Sequence, residues 1–163
     1  MIILAIIASD YAVGGSPSPG KRYWRLKGTN DGSFSGGALC EIEFYDSIGG
    51  SNIVAGGTEI AGSEAFGGTK EQAFDGDKLN SFWAGASGAV TAGTSWIGYD
   101  FGAGNEKDVV QFEITARSSG GNANQVWDEW DLEYSDDGII WTNKNSYSDF
   151  TPWTSNETRK YTA

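Results

Sequence analysis

Between Ala73 and Trp83 the chain reads Ala-Phe-Asp-Gly-Asp-Lys-Leu-Asn-Ser-Phe-Trp, and its oxygen-bearing side chains admit two kinds of chemistry. Asp75, Asp77 and Asn80 can cap a turn, because short Asp and Asn side chains accept hydrogen bonds from nearby backbone. The same oxygens suit a hard cation such as calcium, which takes six to eight oxygen ligands from carboxylates and carbonyls. A second polar stretch, Arg117-Ser-Ser-Gly-Gly-Asn-Ala-Asn-Gln-Val-Trp127, holds an Arg, two Asn, a Gln and an aromatic ring. Arg117, Asn122 and Asn124 suit sugar hydroxyls, while Trp127 and Trp96 offer rings for stacking against a sugar face. Arg117 is equally suited to pairing with a carboxylate.

Catalysis finds less support. The chain has no histidine, which removes the commonest general base, His-dependent triads and most zinc sites. No nucleophile motif, phosphate loop or dinucleotide fingerprint is present. Carboxylates that could serve glycoside hydrolysis are numerous, but they fall in turns or on alternating solvent faces. The reading is therefore non-enzymatic. Eleven Lys and Arg stand against 22 Asp and Glu, a net charge of −11. That balance argues against nucleic acid and against an anionic membrane surface. Cys40 is the single cysteine, so no intrachain disulfide or cysteine cluster can staple the fold.

These residues must be positioned by one domain, given 163 residues with 13% aromatics. Residues 1–20 read as an arm and linker: Met1–Ala8 is apolar, and Val13–Gly20 is rich in Pro and Gly. Asp10 ends the apolar run far short of the roughly 20 residues of a membrane span. No Lys or Arg precedes Lys21, so the positive start of a signal peptide is missing. The domain is expected over residues 21–163. Tyr23–Lys27, Cys40–Tyr45, Val109–Ala116 and Trp130–Tyr134 alternate as β-strands, with Trp24, Leu26, Cys40, Ile42, Phe44, Val110, Phe112, Ile114 and Ala116 on apolar faces. The Asp137-Gly138 pair predicts a hairpin leading to Ile139–Trp141. Short strands between Gly, Ser, Asn and Asp loops imply an all-β antiparallel sandwich or barrel. Trp24, Trp83 and Trp141 are assigned to its core, whereas Trp96, Trp127, Trp130 and Trp153 fall at strand edges or in loops.

Three segments in order carry a family resemblance: Ala73–Trp83, Trp96-Ile-Gly-Tyr-Asp-Phe-Gly102, and Tyr134-Ser-Asp-Asp-Gly-Ile-Ile-Trp141. Together they resemble the discoidin, or coagulation-factor 5/8 type C, domain. The resemblance implies an antiparallel jelly-roll β-sandwich of about eight strands, similar to galactose-binding carbohydrate modules. It also implies a structural Ca²⁺, with the Gln72 carbonyl, Asp75, Asp77, Ser81, the Cys40 carbonyl and Glu41 as its ligands. One residue more than in some relatives separates Asp77 from Ser81, which brings Leu79 or Asn80 into consideration. Galactose-binding relatives often use a His that this chain lacks.

The order of the strands departs from the family. Arg22-Tyr-Trp-Arg-Leu26 and Leu39-Cys-Glu-Ile-Glu-Phe44 resemble the family's last strands but stand first here, while the chain ends at Glu157–Ala163. This reads as a circular permutation, which requires residues 21 and 163 to lie at one end of the sandwich. Domains arranged this way resemble those of bacteriophage structural proteins. The functional expectation is thus a structural or adhesion protein of a phage virion (head decoration, fibre or tail component) whose domain binds surface glycans. The alternative is a carbohydrate-binding module of a secreted or cell-surface protein. Ile2–Ile7 would dock on other virion proteins or on copies of the same chain.

Overall fold

Alternation of apolar and polar residues sets the strands, and pairing of their apolar faces sets the core. The computed structural model describes residues 20–30, 34–118 and 122–163. The arm expected before Gly20 lies outside the described residues. One antiparallel sheet has five strands in the order β4 (Thr58–Ala61), β6 (Trp96–Asp100), β1 (Tyr23–Asn30), β8 (Glu129–Ser135) and β9 (Thr142–Ser148). A second has three, in the order β10 (Thr158–Thr162), β7 (Gln111–Thr115) and β3 (Glu41–Tyr45). These make up the eight strands of an antiparallel β-sandwich, as expected. A two-residue pair, β2 (Ala38–Leu39) with β5 (Trp83–Ala84), lies beside them.

Register brings like faces together. Leu26 sits opposite Ile97 and Leu132 in the larger sheet, while Ile42 and Phe44 oppose Ile114 and Phe112 in the smaller. All seven are fully buried and belong to one core cluster. Along one side the sheets meet at edge strands β9 and β10. There Trp130, Tyr147, Tyr161 and Phe112 form a contiguous aromatic seam with centroids 5.1–5.9 Å apart. The Tyr147 hydroxyl donates to the Thr162 carbonyl at 2.8 Å, joining the two sheets.

The tryptophans distribute differently from the sequence expectation. Trp24 and Trp83 are core residues, but so are Trp127, Trp130 and Trp153, which were expected at edges or in loops. Trp141 leaves the core: the hairpin turn runs on through Ile139 and Ile140, and β9 starts only at Thr142. Half-buried, Trp141 lies over the Arg25 guanidinium at 3.8 Å, and Trp96 lies over the same group at 4.8 Å. Arg25 projects from β1 away from Trp24 and Leu26, and donates to the buried Glu133 carboxylate at 2.6 Å. Burial lowers the Arg25 pKa while Glu133 opposes the shift. The outer face of the five-stranded sheet therefore uses its rings to cover an ion pair.

Both ends of the described domain meet the segment 107–110. Lys21 exchanges backbone hydrogen bonds with Lys107 at 2.7 and 3.0 Å, and the Ala163 N–H donates to the Val110 carbonyl at 2.9 Å. Lys107 and Val110 are three residues apart, a span of at most about 11 Å. Residues 21 and 163 thus lie at one end of the sandwich, the geometry a permuted order requires.

Candidate functional site

The loop from Gln72 to Ser81 is built by local caps. A short 3₁₀ turn, Lys70–Ala73, opens with a reciprocal capping arrangement between Thr69 and Gln72. Gly76 then takes φ +80°, a conformation that side chains rarely adopt. The Asp77 carboxylate accepts from the Leu79 and Asn80 N–H groups at 2.9 and 3.0 Å and from the Asn80 side chain. Those donors hold its pKa below the usual carboxylate range. The side chain of Asp77 is therefore a turn cap and not an inward ligand; the inward oxygen at this position is its carbonyl.

Three oxygens converge on the Ser81 hydroxyl. Its Oγ lies 3.0 Å from Asp75 Oδ1, 3.0 Å from the Asp77 carbonyl and 3.4 Å from the Gln72 carbonyl. A hydroxyl has one proton to donate, so most of these oxygens face one another with no hydrogen between them. Glu41, the first residue of β3, is 1% exposed and accepts from the Gly76 N–H at 3.2 Å. Burial pushes its carboxyl up to about 8; the Gly76 N–H opposes this shift and the nearby Asp75 charge adds to it. Adjacent Cys40 is buried, with its thiol pKa raised by that burial. Two carboxylates, two carbonyls and a hydroxyl form a hard, all-oxygen donor set of the kind calcium takes. Among the described residues no group of three or more His, Cys, Asp or Glu side chains is placed to hold a metal.

Lys78 fastens this loop to the smaller sheet. Its Nζ lies 2.6 Å from Glu43 on β3 and 3.3 Å from Glu113 on β7. Asn156 donates its side-chain N–H to the Lys78 carbonyl, which ties the loop to the β9–β10 connection.

The five residues suited to a sugar do not form one site. Trp127 is 0% exposed, donates to Ser95 Oγ at 2.8 Å and packs on Trp83, so it presents no stacking face. Trp96 stands on the outer face of the five-stranded sheet with Arg25 and Trp141. Arg117 lies over the Phe82 ring at 3.6 Å and donates to Gln125 Oε1 at 2.7 Å, bracing the 122–125 turn. Asn122 stands at the N-terminal end of that turn. Asn124 accepts from the Trp153 N–H at 2.6 Å.

Asn124 also borders a feature that the sequence reading missed. A cavity of about 260 Å³ opens between Asn124, Asp128, Phe150, Thr151, Pro152 and Trp153. Phe150 is 64% exposed. The wall it stands on is held from behind by Arg159, which donates to Asp149 at 2.9 Å and to the Thr151 and Pro152 carbonyls at 3.0 and 2.9 Å. Arg159 also lies 3.9 Å over the Trp153 ring. An exposed ring beside polar groups on a braced loop matches what a small polar ligand needs. The signal available was Asp149-Phe-Thr-Pro-Trp153, two large aromatic residues in an otherwise polar connection.

Two antiparallel sheets closed over one core define a β-sandwich domain. A model of the F5/8 type C domain matches residues 58–162, well over half of the chain, and the chain belongs to that family. Domains of this kind are in general non-catalytic binding domains and occur in extracellular or secreted proteins. Neither curated proteins nor solved structures give a match to the chain. The matched segment leaves out β1 and β3, yet β1 lies between β6 and β8, and β3 pairs with β7. Among the described residues no helix is long and apolar enough to cross a membrane.

Proposed function

We propose that the chain is a non-catalytic carbohydrate-binding domain whose glycan sits in the cavity beside Phe150. The observation that carries this is the exposed Phe150 ring at the rim of a braced, polar cavity in a domain of this family. A sugar would lay its apolar face on Phe150 and turn its hydroxyls to Asn124, Asp128 and Thr151. Glycan-array binding by the full chain, followed by calorimetry on the best ligand, tests this. Phe150→Ala should weaken binding about tenfold, the equivalent of a lost stacking contact of about 1.5 kcal/mol. Its thermal midpoint should barely move, because the ring is mostly in water. An array with no saccharide bound, or Phe150→Ala binding as tightly as the parent, would overturn the proposal.

Calcium belongs to the same reading as a structural ion. Glu41, Asp75, Ser81 and the carbonyls of Gln72, Asp77 and Cys40 would hold it. The ion would supply positive charge between the two carboxylates and join the loop to β3.

A place in a bacteriophage particle, as head decoration, fibre or tail component, is the finer reading. The chain order is consistent with a permuted member and supports it, since β1 and β3 precede the matched segment and residues 21 and 163 lie together. The apolar Ile2–Ile7 segment adds a candidate docking strand. Analytical ultracentrifugation is expected to find a fixed oligomer that reverts to monomer when residues 1–19 are deleted. A full chain that sediments as a monomer at all concentrations would remove support for this reading.

A further inference from the structure

We propose that the Ile139–Ile140 tip of the β8–β9 hairpin, with the groove beside it, receives the Ile2–Ile7 segment of a second copy of this chain. This rests on the arm-mediated oligomer proposed above and names the surface that holds it. Ile139 and Ile140 are 81% and 73% exposed, the highest values of any large apolar residue among those described. Two such residues side by side form a patch of the kind that marks an interaction site. The turn that presents them is closed by its own hydrogen bonds. Asp137 Oδ1 accepts from the N–H groups of both isoleucines at 2.8 Å, and Ser135 Oγ accepts from the Gly138 N–H at 2.9 Å. Beside the tip, Tyr134, Ser135, Asp136, Asp137, Ile140 and Thr142 line a groove of about 160 Å³. The start of the described chain borders this groove: Lys21 Nζ lies 2.9 Å from Asp136 and 5.3 Å from the centre of the Tyr134 ring. The arm therefore leaves the domain next to the hairpin. Met1–Ala8 has no charged side chain, so it suits an apolar patch. Lys21 stands fourteen positions after Ile7, about 46–50 Å when extended, which reaches a neighbouring domain. Pro17 and Pro19 fall in that stretch, and proline stiffens a linker into an extended spacer. Such a spacer carries the arm away from its own hairpin and toward another.

The test is complementation between two full-length variants, read by sedimentation velocity. Ile139→Ser with Ile140→Ser keeps the arm and removes the patch, while Leu4→Asp with Ile6→Asp keeps the patch and spoils the arm. Fully burying one isoleucine shifts an equilibrium by about ten- to a hundredfold, so each double variant should weaken self-association by about a hundredfold. Ile139 and Ile140 stand mostly in water, so the hairpin variant should unfold at the same temperature as the arm variant, both being monomers. Mixed in equal amounts, the two variants should recover a 1:1 complex, because the arm of the first meets the patch of the second. A hairpin variant that self-associates as tightly as the parent would overturn this docking surface and leave the arm-mediated oligomer standing. A mixture that stays monomeric would overturn exchange between copies, and is the result expected if each arm docks on its own domain. A parent chain that is monomeric at all concentrations would remove the oligomer and this surface together.

Discussion

Adding a chelator should lower the thermal midpoint of the full chain by about 5–11 °C, and Asp75→Ala should make the midpoint independent of calcium. An ion that binds only the folded state stabilises it by about 2.7 kcal/mol at a hundredfold excess over its dissociation constant. For a chain of this length each kcal/mol moves the midpoint by about 2–4 °C. The physical cause is the crowding of oxygens around Ser81: Asp75 Oδ1 and the Asp77 carbonyl lie 3.0 Å from its Oγ, and Glu41 is buried close by. Burial holds the Glu41 proton to about pH 8, and the nearby Asp75 charge adds to that shift.

The sign of the pH dependence follows. The folded Glu41 pKa is raised above the unfolded value of about 4.5. Its contribution to stability is therefore complete below pH 4.5 and is lost as pH rises toward 8. In chelator the stability should fall across that window by on the order of a few kcal/mol, and the midpoint with it. With calcium bound, the ion takes the place of the proton and the fall should flatten. Midpoints measured from pH 4.5 to 8.5, with and without calcium, check both parts. Equal midpoints in the two conditions throughout would mean that the loop is held by its turn caps alone.

Much of the fold was legible because strand alternation is a local property. Trp24, Leu26, Ile42, Phe44, Phe112 and Ile114 all face the core as their spacing in the chain requires. The edge strand Thr58–Ala61 was not read, since it is short and has only one neighbour to bury against. The Gln72–Ser81 loop was legible as a polar turn in its residue types and only partly in their roles. Spacing cannot say whether Asp77 turns its carboxylate or its carbonyl inward, because that depends on the Leu79 and Asn80 N–H groups competing for it. The sugar residues were the least legible. Arg117, Asn122 and Asn124 lie in one loop, but the exposed ring that shares a cavity with Asn124, Phe150, comes from another segment more than twenty residues away. No local pattern links the two.

Trp127 shows why a ring in a polar loop can be core, and it carries the largest single effect expected here. Trp127→Ala should destabilise the domain by about 3–5 kcal/mol, the usual cost of emptying a buried tryptophan site. The indole is received by two glycines from distant parts of the chain. A Cβ added at Gly28 or at Gly37 would stand 2.1 Å from the Trp127 Nε1 atom. Gly28 lies in β1 and Gly37 just before β2, so the slot exists only once the first strands have folded over the 122–127 loop. Ser95 then accepts the indole N–H, and Trp83 packs against the ring at 5.7 Å between centroids. Gly28→Ala separates packing from backbone effects, because unlike Gly37, at φ +72°, Gly28 does not occupy the left-handed region. It should cost about 1–3 kcal/mol through overpacking alone. In the Trp127→Ala background the same Gly28→Ala change should become nearly neutral, since the atoms it strikes are gone. Denaturant unfolding of the two single variants and the double variant measures that coupling. Additive losses in the double variant would show that Gly28 and the indole do not share a contact, and that Trp127 is held by Trp83 and Ser95 without the glycine slot.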